Sequence, residues 1–324
     1  MRYNEDMFLA FESVFVIIMM ISVGIVLAKR NWFEKKASAL ISRLVVSITL
    51  PAYMFSNLIK NYDSQKLVSM IPGLPIPFIL LICANLISFF LVKILREPKG
   101  RCGTFIALFS FSNAIFIGMP VNLLVFGDAS LPYILLFYIA NTTCFWTIGS
   151  YSIALDGAIR KNRIRPSFFS VGGLRRIFPP PLLGFIVAVV IIFLNIKIPK
   201  VFLTFFSYLG SVSAPLSMIF IGIVISNVRL ADLKHNRNLV VMAVTRIMFL
   251  PLIMYILVIN SNLPILMKKV FILQSAMPAT SQPPIIADVF GADAEYAGIG
   301  VSISTVLSLI TIPIYVILVN MLIT

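Results

Sequence analysis

The residues best suited to chemistry lie in two short stretches. Residues 112–127 read SNAIFIGMPVNLLVFG and residues 276–291 read AMPATSQPPIIADVFG. Asn113, Gly118, Met119, Pro120 and Asn122 break or polarise the first run; Pro278, Thr280, Ser281, Gln282, Pro283 and Pro284 do the same in the second. Their amides and hydroxyls are neutral donors and acceptors. A proline that opens a half-helix leaves the N–H groups of that first turn free, and such N-termini favour anions. This is chemistry for binding rather than bond making. No Ser/His pair, His/Glu zinc motif or Asp pair lies among the apolar runs, so neither an enzyme, a metal site nor a cofactor is expected.

The two stretches are related by a constant shift. Moving 164 residues along the chain carries Pro120 onto Pro284 and Val125-Phe126-Gly127 onto Val289-Phe290-Gly291, and also Pro51 onto Pro215 and Thr49 onto Ser213. A single proline would be read as a kink, with nearby amides as interhelical glue. Two doubly broken apolar segments at corresponding places in two halves instead point to a carrier's binding site.

The elements that must position them are membrane helices. With 60% hydrophobic and 12% charged residues and a mean hydropathy of +1.01, the chain has too little polar surface for a soluble globule of 324 residues. Ten spans are expected, at about 7–28, 37–59, 74–95, 101–126, 131–155, 180–196, 201–228, 238–260, 268–290 and 296–323. The first lacks a basic leader and a small-residue cleavage pattern, so it reads as a retained helix. Lys and Arg cluster in alternate connections, eighteen on one side against seven on the other, which places both termini outside and the basic loops in the cytoplasm. The net charge of +14 follows from this bias and not from nucleic-acid binding. Cys83, Cys102 and Cys144 have no metal or redox spacing, and His235 reads as a solvated loop residue.

The basic connection 156–179 divides the chain into an N-terminal five-helix repeat, 1–155, and a C-terminal one, 180–324. Five is odd, so the second copy must enter the bilayer from the opposite face and the repeats are expected to be inverted. Charge inside the spans narrows the guest. Asp288 lies late in its segment and reads as a water-facing end residue, and Arg246 is expected to snorkel from the eighth span to the cytoplasmic interface. Glu12, Asn141 and Thr305 are candidate coupling or structural residues. An uncharged, amide-bearing site suits a small organic anion better than a bare cation. No repeated carbonyl filter and no Gly-rich phosphate loop is present, against a channel and against ATP-driven transport.

FLAFESVFVIIMMISVGIVLAKR, LVVSITLPAYMF, SNAIFIGMP, SAPLSMIFIGIVIS and QSAMPATSQPPIIADVFG followed by STVLSLITIPI resemble the auxin efflux carrier family in its bacterial branch, over essentially the whole chain. The resemblance implies an all-α polytopic membrane protein of ten helices, similar in fold to bile-acid symporters and sodium/proton antiporters, with broken helices 4 and 9 crossing at the substrate site. It places one crossover at Asn113 to Pro120 and the other at Pro278 to Pro284. Helices 1, 2, 6 and 7 would form a scaffold, and helices 3–5 and 8–10 a transport unit.

Plant members export auxin, an indole carboxylate, and bacterial members are linked to malate and related carboxylates. Plant carriers pair proline with asparagine at both crossovers, whereas here the second offers Thr280, Ser281 and Gln282, so the auxin geometry does not carry over. The expectation is a secondary active or potential-driven carrier of small carboxylates in a bacterial cytoplasmic membrane, working by an elevator-like motion. H+ or Na+ are the candidate coupling ions, and the scaffold faces are a candidate homodimer surface. The alternatives are an ion-coupled symporter of a larger amphipathic anion, or a membrane ligand receptor that does not transport.

Overall fold

A computed structural model describes residues 2–33, 37–162, 180–226 and 236–323. Within its helices, side chains 2–14, 17, 37–39 and 224 are not described. Most of the basic connection, together with Arg229, Lys234 and His235, lies outside the described residues, as does the side chain of Glu12.

The described chain is helical, without a strand of its own. In hydrocarbon every backbone N–H and C=O must be paired inside the protein, and an apolar segment does this most simply as a helix. Five helical stretches are long and apolar enough to cross a membrane: Ser64–Ile94, Asp128–Arg160, Lys200–Ile223, Arg237–Ile259 and Ala294–Leu322. Ile18–Lys29, Ala114–Phe126 and Pro180–Phe193 are shorter apolar helices. Large apolar side chains such as Phe90, Val201, Phe205 and Ile256 are exposed, as a bilayer-facing surface requires. The chain is therefore a polytopic membrane protein.

In chain order the elements that matter begin with α1 (Arg2–Lys29), α2 (Ala37–Leu44), α3 (Leu50–Asn61), α4 (Ser64–Met70), α5 (Pro75–Ile94), α6 (Cys102–Ser110), α7 (Met119–Phe126), α8 (Leu131–Cys144) and α9 (Ser150–Arg160). They continue with α10 (Pro180–Phe193), α11 (Lys200–Ser211), α12 (Ser213–Ser226), α13 (Arg237–Ile259), α14 (Ile265–Ser275), α15 (Pro283–Phe290) and α16 (Ala294–Leu322). Three π-helical turns, Val45–Thr49, Ala114–Gly118 and Phe145–Gly149, interrupt the α-helical ladder. Such turns insert an extra residue and recur at functional sites.

The shift of 164 residues recurs in the element boundaries. It carries Met119–Phe126 onto Pro283–Phe290, the end of α1 onto the end of α10, and α6 onto the interior of α14 give or take one residue. The start and stop signals repeat as well. Prolines occupy the first turn of α7 and of α15, where a missing N–H costs nothing. Gly127 and Gly291 follow their last residues at φ 69° and 73°, a backbone region in which any side chain would be strained.

The chain folds as two compact units. The first comprises Met1–Gly73, Ile115–Leu135 and Phe178–Asn227. Here α1 packs along α12 with the backbones at Gly24 and Gly222 in close approach, and α3 lies against α10 at Gly184 and against α11 at Gly210. The second comprises Leu74–Ala114, Leu136–Ile177 and Val228–Thr324. Its core is built from Phe105, Leu108, Phe109, Met242, Leu250 and Ile303, and from a second cluster around Phe111, Phe145 and Ile153. The start of α6 is capped from α9: Asp156 accepts from the Gly103 N–H at 3.0 Å, the Thr104 N–H at 2.6 Å and the Thr104 hydroxyl at 2.8 Å. These bonds pair donors that a helix start leaves orphaned.

A Cβ on Gly24 would sit 2.4 Å from the Ile219 carbonyl oxygen and 3.0 Å from the Gly222 Cα. Gly24→Val should therefore separate α1 from α12 and destabilise the protein by about 1–3 kcal/mol. Thermal unfolding of the detergent-solubilised variant, set beside Gly298→Val in α16, where nothing lies within 4 Å of an added Cβ, tests whether the cost comes from close packing.

Candidate functional site

The two broken stretches meet in the second unit. After α6 the chain turns extended at Phe111, and the next residues run antiparallel to Pro278, Ala279 and Thr280, which follow α14. The Asn113 N–H donates to the Pro278 carbonyl at 2.8 Å, and the Thr280 N–H donates to the Phe111 carbonyl at 2.9 Å. The result is a single antiparallel bridge, Ser112 with Ala279, between two unwound stretches in an otherwise helical unit. Asn113 and Thr280 are thus brought together. Ser281 and Gln282 follow directly, half-buried, before Pro283 and Pro284 open α15.

A bridge two residues wide leaves most of the unwound backbone unpaired, and side chains complete it. Asn141, from α8, accepts from the Ser112 N–H at 2.9 Å and donates to the Ser112 carbonyl at 3.0 Å. The Ser304 hydroxyl accepts from the Ala279 N–H at 3.1 Å, and the Gln274 amide donates to the Ala114 carbonyl at 3.3 Å. Arg246, in the middle of α13, donates to the carbonyls of Leu108, Phe109, Met277 (2.9 Å) and Pro278 (3.3 Å) and to the Ser112 hydroxyl at 2.8 Å.

Arg246 corrects the sequence expectation. It does not snorkel: it is 0% exposed. It is the tenth residue of α13, about 14 Å of helix from the start, and all its partners are interior. Sequence inspection missed it as part of the site because its partners are separated from it by as many as 138 residues. Ser304 and Gln274 were missed for the same reason. The available signal was an arginine deep in an apolar run, which by default marks a functional position.

The remaining candidates fall elsewhere. Gly118, Met119, Pro120 and Asn122 belong to the first unit, where the Asn122 amide donates back to the Gly118 carbonyl at 2.7 Å. Thr305 donates to the Val301 carbonyl within its own helix, a local bond of the kind common in membrane helices. Asp288 is exposed.

A second polar cluster closes one end of the same unit. Asp293 caps α16 through the Tyr296 N–H and pairs with Arg101 at 2.8 Å and Arg160 at 3.0 Å. Burial alone would raise its carboxyl, but the Tyr296 N–H and the two guanidinium groups outweigh it and hold it below the usual carboxylate range. A depressed folded value means the cluster's stabilisation is fully present above the unfolded carboxyl value of about 3.9 and is lost as pH falls through the folded one.

A family model described as Membrane transport protein matches residues 9–316. The chain belongs to this family, the auxin efflux carrier family. It is similar to an uncharacterized transporter of Methanocaldococcus jannaschii, 22% identical over 94% of this chain and 97% of that one. An uncharacterized transporter of Methanothermobacter thermautotrophicus is also 22% identical, over 94% and 96% of the two chains.

Two outcomes are expected. Asn141→Leu strands the Ser112 N–H and carbonyl without partners, at about 1–3 kcal/mol for each buried group; an unfolding midpoint in detergent equal to wild type would contradict this. Asp293→Asn should lower the midpoint at pH 6, and the gap to wild type should narrow as both are measured below about pH 4. A gap constant down to pH 3 would refute the assignment.

Proposed function

We propose that this membrane transport protein is a secondary carrier of small organic anions, carboxylates first among them, and that the crossed breaks are its substrate site. The observation that carries the reading is the Ser112–Ala279 bridge. Unwound backbone is tolerated at membrane depth where protein or a lined cavity surrounds it, and paired broken helices are where carriers hold their substrates. The groups beside the bridge are neutral or positive: Asn113, Thr280, Ser281, Gln282 and the buried Arg246 guanidinium. The Gln282 side-chain oxygen is buried without a partner, and in the first turn of α15, where Pro283 and Pro284 carry no N–H and the Ile286 N–H donates to the Gln282 carbonyl, the Ile285 N–H is the backbone donor left for an anion.

The division of the described chain supports an alternating-access scheme. The second unit carries the crossing and most of helices 3–5 and 8–10; the first carries helices 1, 2, 6 and 7. Residues 115–135, expected with the transport helices, group with the first unit, and the boundary falls inside the π-helical turn Ala114–Gly118. We take the second unit as the transport body and the first as the scaffold, each assembled from parts of both inverted repeats, with that turn as the hinge. The membrane potential, worth about 2.3 kcal/mol per charge per 100 mV, suffices to drive export of an anion.

Proteoliposome flux of mono- and dicarboxylates is the test. Gln282→Ala and Asn113→Ala should each reduce flux at least about tenfold, the equivalent of 1.4 kcal/mol, while folded protein stays in the membrane. Wild-type rates in both variants would remove the site from the crossing. Ligand-induced stabilisation without flux would favour a receptor.

A further inference from the structure

The partners of Arg246 are unusual for a buried cation. Among the described residues no carboxylate is one of them. The guanidinium instead meets five oxygens, four backbone carbonyls and the Ser112 hydroxyl. Leu108 and Phe109 lie in the last turn of α6, and Met277 and Pro278 just past the end of α14. Each helix C-terminus carries about half a negative charge, so two converging ends present roughly one, which a single guanidinium matches.

Oxygen cages of this composition, unwound carbonyls at half-helix C-termini, are where ion-coupled carriers coordinate a sodium ion or proton. We propose that Arg246 is the resident cation of the crossing: the guanidinium fills, from within the chain, the oxygen cage that a coupling metal ion would otherwise occupy. The crossing therefore assembles without sodium, and sodium is not its coupling ion. Only the statement about coupling rests on reading the crossing as a transport site; the cage itself does not.

The test needs no substrate. Thermal unfolding of the full chain in detergent is followed in sodium, methylguanidinium or N-methylglucamine chloride at equal ionic strength, titrated through the millimolar range. Wild type should unfold at the same temperature in all three. Arg246→Ala should unfold at a lower temperature in N-methylglucamine and recover part of that loss, saturably, with sodium or methylguanidinium, because a ligand that binds only the folded state raises its stability.

Saturable stabilisation of wild type by sodium would overturn the proposal, as would an Arg246→Ala protein that neither cation restores. If the alanine variant fails to fold, Arg246→Lys and Arg246→Gln decide. The lysine variant, which keeps the charge, should lose less than half the shift seen with glutamine, and equal losses in the two would refute the resident-cation role. A carrier with no carboxylate flux could still pass every arm, so failure here is distinct from failure of the transport reading.

Discussion

Inside a bilayer no water pairs a stray N–H or C=O, and the two unwound stretches depend on that constraint being met from within. Residues 111–114 and 277–280 would otherwise leave a row of buried polar groups, each costing several kcal/mol in hydrocarbon. The bridge between Ser112 and Ala279 pairs some of them. Asn141, Ser304, Gln274 and Arg246 pair others, and these side chains come from four different helices. The crossing thus ties α8, α13, α14 and α16 to one point, which explains why the second unit is compact around a place where its own helices are broken.

The same constraint shapes what the crossing can hold. Among the described residues its neighbouring side chains are amides and hydroxyls, and its one formal charge, Arg246, is positive and buried. The buried carboxylates among the described residues of the second unit are committed elsewhere: Asp156 caps α6, Asp293 caps α16 between two arginines, and Glu97 accepts from the Asn238 amide. A bare cation would find no acid among the bridge's hydrogen-bonding partners. An anion would find the Ile285 N–H at the start of α15, after two prolines that carry none, and the Gln282 side-chain amide beside it. The proposal of an anionic guest rests on that asymmetry.

How much of this was legible in the sequence follows from the range of each interaction. Breaks and helix ends are local, set by Pro120, Pro283 and Pro284 at the start and Gly127 and Gly291 at the stop, so the shift of 164 residues could be read from the residues alone. The crossing is not local. Nothing in SNAIFIGMP states that Ser112 will be held by Asn141 or faced by Ala279, and Arg246 resembled an interfacial arginine until its partners from α6 and α14 were in place. The π-helical turns carry no residue signature of their own, so neither the turn at Ala114–Gly118 nor the change of unit within it was visible beforehand.

The central claim is that the crossing is where substrate sits during transport. The most direct measurement places a single cysteine at Ser281, half-buried beside the bridge, in a chain with Cys83, Cys102 and Cys144 replaced. Labelling by a membrane-impermeant maleimide is then followed from each side of sealed vesicles. Alternating access through the crossing predicts labelling from both sides, slowed by the same carboxylate that is transported and by no other. Labelling from neither side, or labelling indifferent to every transported carboxylate, would contradict it.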